Sequence, residues 1–260
     1  MASLQNNLQF HTYDSDRAAH EQHSLRQSTF LHLFPGVLVL ALYLVAGPLA
    51  SRWGWPVNAG LSLFAFPLGI IGFMFSFLLL QGRWRNGQWR LTGIVLYRQQ
   101  LPLWNYLIFT PILLAFSVAA FLLTAQATQS FLWQRLFFWM PGWLYTLEDL
   151  TQFPRTVLIS LFLSQIVVDG IAAPIAEEFY FRGYLLPRLA HLGNWAPLVG
   201  TILFTLYHLD SPWSFVPRLL GFLPTAYVTY WKRNIIIPIL VHCMLNLIGI
   251  IVVFLPVLST

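Results

Sequence analysis

Three groups of polar side chains interrupt a chain that is otherwise almost wholly apolar. The first is Glu177-Glu178 with Arg182, inside Pro174-Ile175-Ala176-Glu177-Glu178-Phe179-Tyr180-Phe181-Arg182-Gly183. The second is His208, in Phe204-Thr205-Leu206-Tyr207-His208, and the third is His242 with Asn246, in His242-Cys243-Met244-Leu245-Asn246. Ionisable groups in hydrocarbon are costly and by default mark a functional site that faces the protein interior. Glu178 and Arg182, four residues apart, can pair along one helix face, and so can His242 and Asn246. Neighbouring helical residues point about 100° apart. Glu177 therefore cannot share the direction of Glu178: one carboxylate can hold a water while the other fixes the arginine. A carboxylate base beside imidazole and amide donors suits hydrolysis of an acyl bond.

Composition says what must carry these groups. Of 260 residues 57% are hydrophobic and 9% charged, and the mean hydropathy is +0.65. A soluble domain carries about 25% charged residues, so the expectation is an all-α, polytopic membrane protein. The net charge of +5 comes from arginines gathered between apolar runs, a topology signal rather than a nucleic-acid-binding face. A single cysteine, Cys243, excludes an intrachain disulfide and a thiolate metal cluster, and beside His242 it reads as a small packed hydrophobe.

Residues 1–29 read as a polar cytoplasmic tail. His11, His20 and His23 there could bind a metal, but solvated side chains are the simpler reading. Apolar runs at about 30–50, 59–81 and 103–125 each have the roughly 20 residues a crossing helix needs. The link at 82–102 carries Arg83, Arg85, Arg90 and Arg98, which places it and the N-terminus in the cytoplasm. The Trp- and Phe-rich stretch 131–143 is expected as an interfacial helix at headgroup level, with a crossing over 131–147 as the alternative. Residues 156–190 should form one helix kinked at Pro174, and segments at 195–209, 214–231 and 235–257 complete about seven transmembrane helices plus the interfacial one. Ten of the fourteen Lys and Arg then fall on the cytoplasmic side, with Arg182 and Arg188 counted there. Units of 30–150 (membrane helices and aromatic segment) and 151–260 (catalytic core) follow from where the polar groups lie.

Counted by helical rise from the cytoplasmic ends, Glu177 and His208 lie about 20 Å deep and His242 and Asn246 about 12–18 Å deep. Three helices thus bring polar groups to one level. Glu-Glu-x-x-x-Arg, Phe-x-x-x-His and His-x-x-x-Asn, in this order on successive apolar helices, resemble the CPBP family of intramembrane proteases. That family includes the type II CAAX prenyl proteases and the bacterial Abi or bacteriocin-processing proteins. The resemblance covers roughly 155–250, while residues 1–150 match only as generic membrane helices.

The resemblance implies that Glu177 activates the attacking water with His208 beside it, and that His242 and Asn246 hold the developing oxyanion. Glu178 and Arg182 would support the site. Zinc is a conceivable partner of two His and a Glu, but Asn246 would be a poor remaining ligand, so no cofactor is expected. Arg218 snorkels to the far surface, or else points into the cavity and binds a substrate carboxylate or Glu178. Asp169 reads as a helix-packing group, and His32 and His191 as residues solvated at helix ends. The expected function is an endopeptidase cutting a membrane-proximal or lipid-modified protein or peptide near the cytoplasmic face, in contact with membrane lipid and not with nucleic acid. A non-catalytic scaffold of immunity type and a solute or ion transporter are the competing classes. No inverted repeat supports the transporter.

Overall fold

The computed structural model describes residues 22–146 and 148–259, and among these the regular structure is helical apart from isolated bridges. Seven long helical segments occur: α1 (Leu25–Arg52), α2 (Leu61–Asn86), α3 (Leu103–Phe137), α4 (155–195), α5 (Ala196–Leu206), α6 (Phe215–Lys232) and α7 (Ile236–Leu258). Five spans are long and apolar enough to cross a membrane by length and composition. They are α1, α2, α3, α7 and the stretch Arg155–Leu206, which runs through α4 and α5. The polytopic all-α class is therefore as expected. The count of seven crossings is reached only as helices: α5 has 11 residues and α6 has 18, about 16 and 27 Å long.

Local chemistry sets the boundaries. The Ser24 hydroxyl accepts from the Gln27 amide at 3.2 Å and starts α1. Gly87, at φ 68°, ends α2 in the left-handed conformation that glycine adopts without strain. At Gly193 (φ 57°) the chain turns from α4 into α5. Asn234 starts α7: its side-chain oxygen accepts from the amides of Ile236 and Ile237 at 2.9 and 3.1 Å.

The core wraps α4. Tyr180, Tyr184, Leu185 and Leu189 are buried against Met74 and Leu78 of α2 and Phe204 of α5. On the other side α3 packs along α6 and α7, where the Ser117 hydroxyl donates to the Gly221 carbonyl at 2.8 Å. The arginine-rich link is no free loop. Its Ile94–Tyr97 stretch is buried, the Leu96 amide donates to the Gly183 carbonyl at 2.7 Å, and the Ile235 amide donates to the Tyr97 carbonyl at 2.9 Å. This segment closes one end of the bundle.

Several expectations need correction. The tail expected to reach residue 29 gives way by residue 22 to packed chain. The His23 amide donates to the Arg188 carbonyl at 2.9 Å and the His23 ring is buried, 5.8 Å from that of Tyr184. His11 and His20 lie outside the described residues. The interfacial helix does not form as a separate element. Residues 131–137 continue α3, and beyond them come only short turns at Gly142–Leu144 and Leu150–Gln152. Pro141, which has no N–H, cannot extend the helix. The aromatic rings pack on one another instead, with Trp133 stacked on Tyr145 at 4.6 Å and Trp213 edge-on at 5.2 Å.

Arg188, counted with the cytoplasmic charges, and His32, expected to be solvated at a helix end, are both buried. Arg188 is 0% exposed. It donates to the carbonyls of Tyr184 and Ile94 and lies 3.8 Å over the Tyr184 ring, tying α4 to the link. His32 Nδ1 is 2.7 Å from the Ser28 carbonyl. Arg182 is buried too, so neither it nor Arg188 counts as a charge at the membrane surface.

Candidate active site

Helix α4 changes its winding around the two glutamates. A single α-turn, Ala173–Glu177, is flanked by wider π-turns at Val168–Ala172 and Glu178–Leu185. Such turns recur at functional sites. Pro174 is the local cause, since it lacks a donor and its ring presses on the preceding turn. The amide five residues beyond Asp169, which a π-turn would use, is that of Pro174 and does not exist. Asn246 of α7 supplies a donor instead, its side-chain amide giving a 2.8 Å bond to the Asp169 carbonyl. The Asp169 carboxylate accepts from the Ser62 hydroxyl at 2.7 Å, which joins α2 to α4 and agrees with a packing role.

The wide turn aims the glutamates at α7. Glu177 is 4% exposed and Glu178 0%. Between them stands the His242 ring, with Nδ1 2.8 Å from Glu178 Oε1 and Nε2 3.5 Å from Glu177 Oε2. The Arg182 guanidinium is 3.2 Å from the same Glu178 Oε1 and covers the face of Phe204 at 3.7 Å. Phe222 closes the other side, 4.7 Å from the His242 ring. From α5's end the Tyr207 hydroxyl donates to Glu177 Oε1. Two carboxylates, an arginine and a histidine thus form one buried network walled by aromatic rings.

Four of the seven anticipated site residues therefore meet: Glu177, Glu178, Arg182 and His242. The remaining three make their direct bonds elsewhere. His208 lies beyond the end of α5, its Nδ1 turned to the Phe204 carbonyl at 3.0 Å and its ring 4.3 Å from that of Tyr207. Asn246 is engaged with Asp169, one turn along α7 from His242. Arg218 neither snorkels nor touches Glu178; its guanidinium holds the Ser211 hydroxyl at 3.0 Å in the turn between α5 and α6. Tyr207 was not anticipated, although it directly precedes His208 in the second motif. A hydroxyl on a ring that also packs in the core (its centroid is 4.8 Å from that of Phe181) carries no sign in the sequence of what it bonds.

Among the described residues no group of three or more His, Cys, Asp and Glu side chains is placed to hold a metal ion, and both nitrogens of His242 face carboxylates.

Residues 159–248 match the family model described as type II CAAX prenyl endopeptidase Rce1-like. This part of the chain is similar to the type II CAAX prenyl endopeptidases. The matched segment contains the whole carboxylate network and all three motifs, so the resemblance to the CPBP family holds over it. A curated relative, UPF0177 protein YxdF of Lactococcus lactis subsp. lactis (strain IL1403), is 31% identical over 87 residues, or 34% of this chain. The match spans about half of that protein, 49% of its length. No solved structure matches this chain.

Proposed function

We propose that this protein is an intramembrane endopeptidase that hydrolyses a peptide bond with a water activated by Glu177. The observation that carries the reading is the unequal setting of the two glutamates. Glu178 Oε1 is committed to Arg182 and His242, whereas the direct contacts of Glu177 among the described residues are the Tyr207 hydroxyl and the edge of His242.

In this mechanism Glu177 takes a proton from the water as its oxygen attacks the scissile carbonyl carbon. Glu178 fixes the His242 ring through Nδ1, which leaves Nε2 directed at the reaction space. A proton on Nε2 can then stabilise the oxyanion, as can the Tyr207 hydroxyl; aimed donors of this kind are worth about 2.7–4 kcal/mol each in a dry site. Collapse of the tetrahedral intermediate returns the proton from Glu177 to the leaving nitrogen, giving a carboxylic acid and an amine. Asn246 and His208 would join by giving up the backbone carbonyls they now hold. The mechanism uses no metal. Phe204 and Phe222 keep bulk water from the bond being cut, and exposed apolar side chains such as Leu122 and Leu123 would lie in hydrocarbon that an apolar or lipid-modified substrate tail can share.

The test is incubation of purified wild type and Glu177→Gln with a library of membrane-proximal peptides, read by mass spectrometry. New termini are expected with the wild type only. Identical products from both proteins would remove Glu177 from the chemistry, and no products from either, with the variant keeping the protein's cellular effect, would favour a scaffold.

A further inference from the structure

A cavity of about 390 Å³ opens at the end of the bundle away from the arginine-rich link, between the start of α2, residues 143–146 and 148–150, the α5–α6 turn and the end of α7. Three carboxylates, Glu148, Asp149 and Asp210, and three aromatic rings, Tyr43, Trp143 and Tyr145, line it, and no Lys, Arg or His does. The Asn58 side-chain oxygen, also in its wall, is buried and accepts no hydrogen bond among the described residues. Two hydrogen bonds from Thr151, the larger effect coming from its hydroxyl, hold the Asp149 carboxyl below its ordinary range and so keep it charged.

The cavity joins the carboxylate network through one short turn. Asp210 and Ser211 in its wall follow Tyr207 and His208, and the Tyr207 hydroxyl donates to Glu177. With α5 about 16 Å long and α6 about 27 Å, this non-helical turn stays inside a hydrocarbon layer about 30 Å thick. Irregular backbone is tolerated at that depth only when buried in protein or lining a water-filled cavity. The opposite end is closed by Ile94–Tyr97 packed against Gly183 and Ile235.

We infer that this cavity is the vestibule of the site and binds a cationic stretch of the substrate, one bearing Lys or Arg, on the side opposite the arginine-rich link. The inference rests on the protease reading and moves the substrate's approach away from the face expected from the sequence. Arg218, bonded to Ser211 in the wall, offsets part of the Asp210 charge; Glu148 and Asp149 are left to attract a cation and shape its on-rate, and the aromatic faces add cation–π contact.

The experiment uses the full chain in proteoliposomes, with Cys243→Ala as background. Ser211→Cys and Gln88→Cys report the two ends through a membrane-impermeant maleimide, and Ac-Gly-Arg-Gly-Arg-Gly-amide is the probe beside its Gln-substituted twin. Ser211→Cys is expected to label only from the side that does not label Gln88→Cys, and the arginine peptide to slow that labelling. Glu148→Gln/Asp149→Asn/Asp210→Asn, which keeps every acceptor oxygen, is expected to weaken the arginine peptide at least tenfold and leave the twin unchanged. Labelling of Ser211→Cys from the Gln88 side or from neither side, or equal binding of the two peptides, overturns the inference. Retained binding of the arginine peptide by a wild type that gives no cleavage products, or gives the same products as Glu177→Gln, counts against the protease reading alone.

Discussion

Glu178 Oε1 lies 2.8 Å from His242 Nδ1 and 3.2 Å from Arg182, so one oxygen anchors both the imidazole and the guanidinium of the network. Glu178 Oε2 is buried and makes no hydrogen bond among the described residues. Removing the charge at Glu178 leaves Arg182 buried without its partner, and breaking a buried pair in this way costs about 3–5 kcal/mol. Glu178→Gln is accordingly expected to unfold at clearly lower temperature in detergent. Glu177→Gln, which keeps an acceptor for Tyr207, should melt within a few degrees of wild type and lose cleavage altogether. Thermal unfolding followed by tryptophan fluorescence, run beside the peptide assay, separates the two; equal melting of both variants contradicts the division of roles.

Tyr207 is the donor nearest the proposed base. Tyr207→Phe keeps the ring, and with it the contacts to Phe181 and His208, and removes only the hydroxyl bonded to Glu177. A hydrogen bond to a charged group is worth about 1.5–3 kcal/mol, so the turnover number should fall by about ten- to a hundredfold with little change in KM. A KM effect alone would show that Tyr207 positions substrate and leaves the reacting atoms untouched.

What the sequence discloses and what it hides divide along a physical line. Helix existence was legible because a membrane-spanning backbone must satisfy its own hydrogen bonds over about 20 apolar residues. The meeting of Glu177, Glu178, Arg182 and His242 was legible because their depth follows from helical rise. Backbone partners were not, since no residue type records which carbonyl it will meet. The resemblance makes Asn246 an oxyanion donor, and nothing in the sequence shows that its amide meets the Asp169 carbonyl, left without a donor by Pro174. Burial of Arg188 was hidden for a related reason. An arginine near a helix end reads as a surface charge, and only the folded link brings the Ile94 carbonyl to it. The early end of α5 at Leu206 is traceable afterwards to Asp210-Ser211-Pro212, where proline disfavours helical backbone in the residue before it.

The Asn246 bond gives a prediction of its own. Asn246→Ala deletes the donor to the Asp169 carbonyl, and a buried acceptor left unsatisfied costs about 1–3 kcal/mol. The variant should be destabilised by that amount in urea unfolding. Hydrogen exchange should rise in the 168–173 turn ahead of the rest of α4. If exchange there is unchanged while cleavage is lost, Asn246 acts on the substrate and not through Asp169.

The position of Tyr207 depends finally on a helix that contributes nothing polar to the carboxylate network. Gly36 of α1 lies directly against the Tyr207 backbone, and a Cβ at residue 36 would collide with the Tyr207 carbonyl oxygen and stand 3.2 Å from its Cδ2. Backbone cannot rotate aside as a side chain can, so Gly36→Ala must push α1 from α5 or shift the turn that carries Tyr207 and His208. Overpacking of this kind costs about 1–3 kcal/mol. Gly249→Ala, on α7 with no atom within 4 Å of the added methyl group, is the matched control and should behave as wild type. The expected result for Gly36→Ala is a lower melting temperature together with a loss of cleavage comparable to that of Tyr207→Phe. Wild-type turnover in Gly36→Ala would mean that the Tyr207 hydroxyl tolerates displacement, and that the bond it gives Glu177 is not what sets the rate.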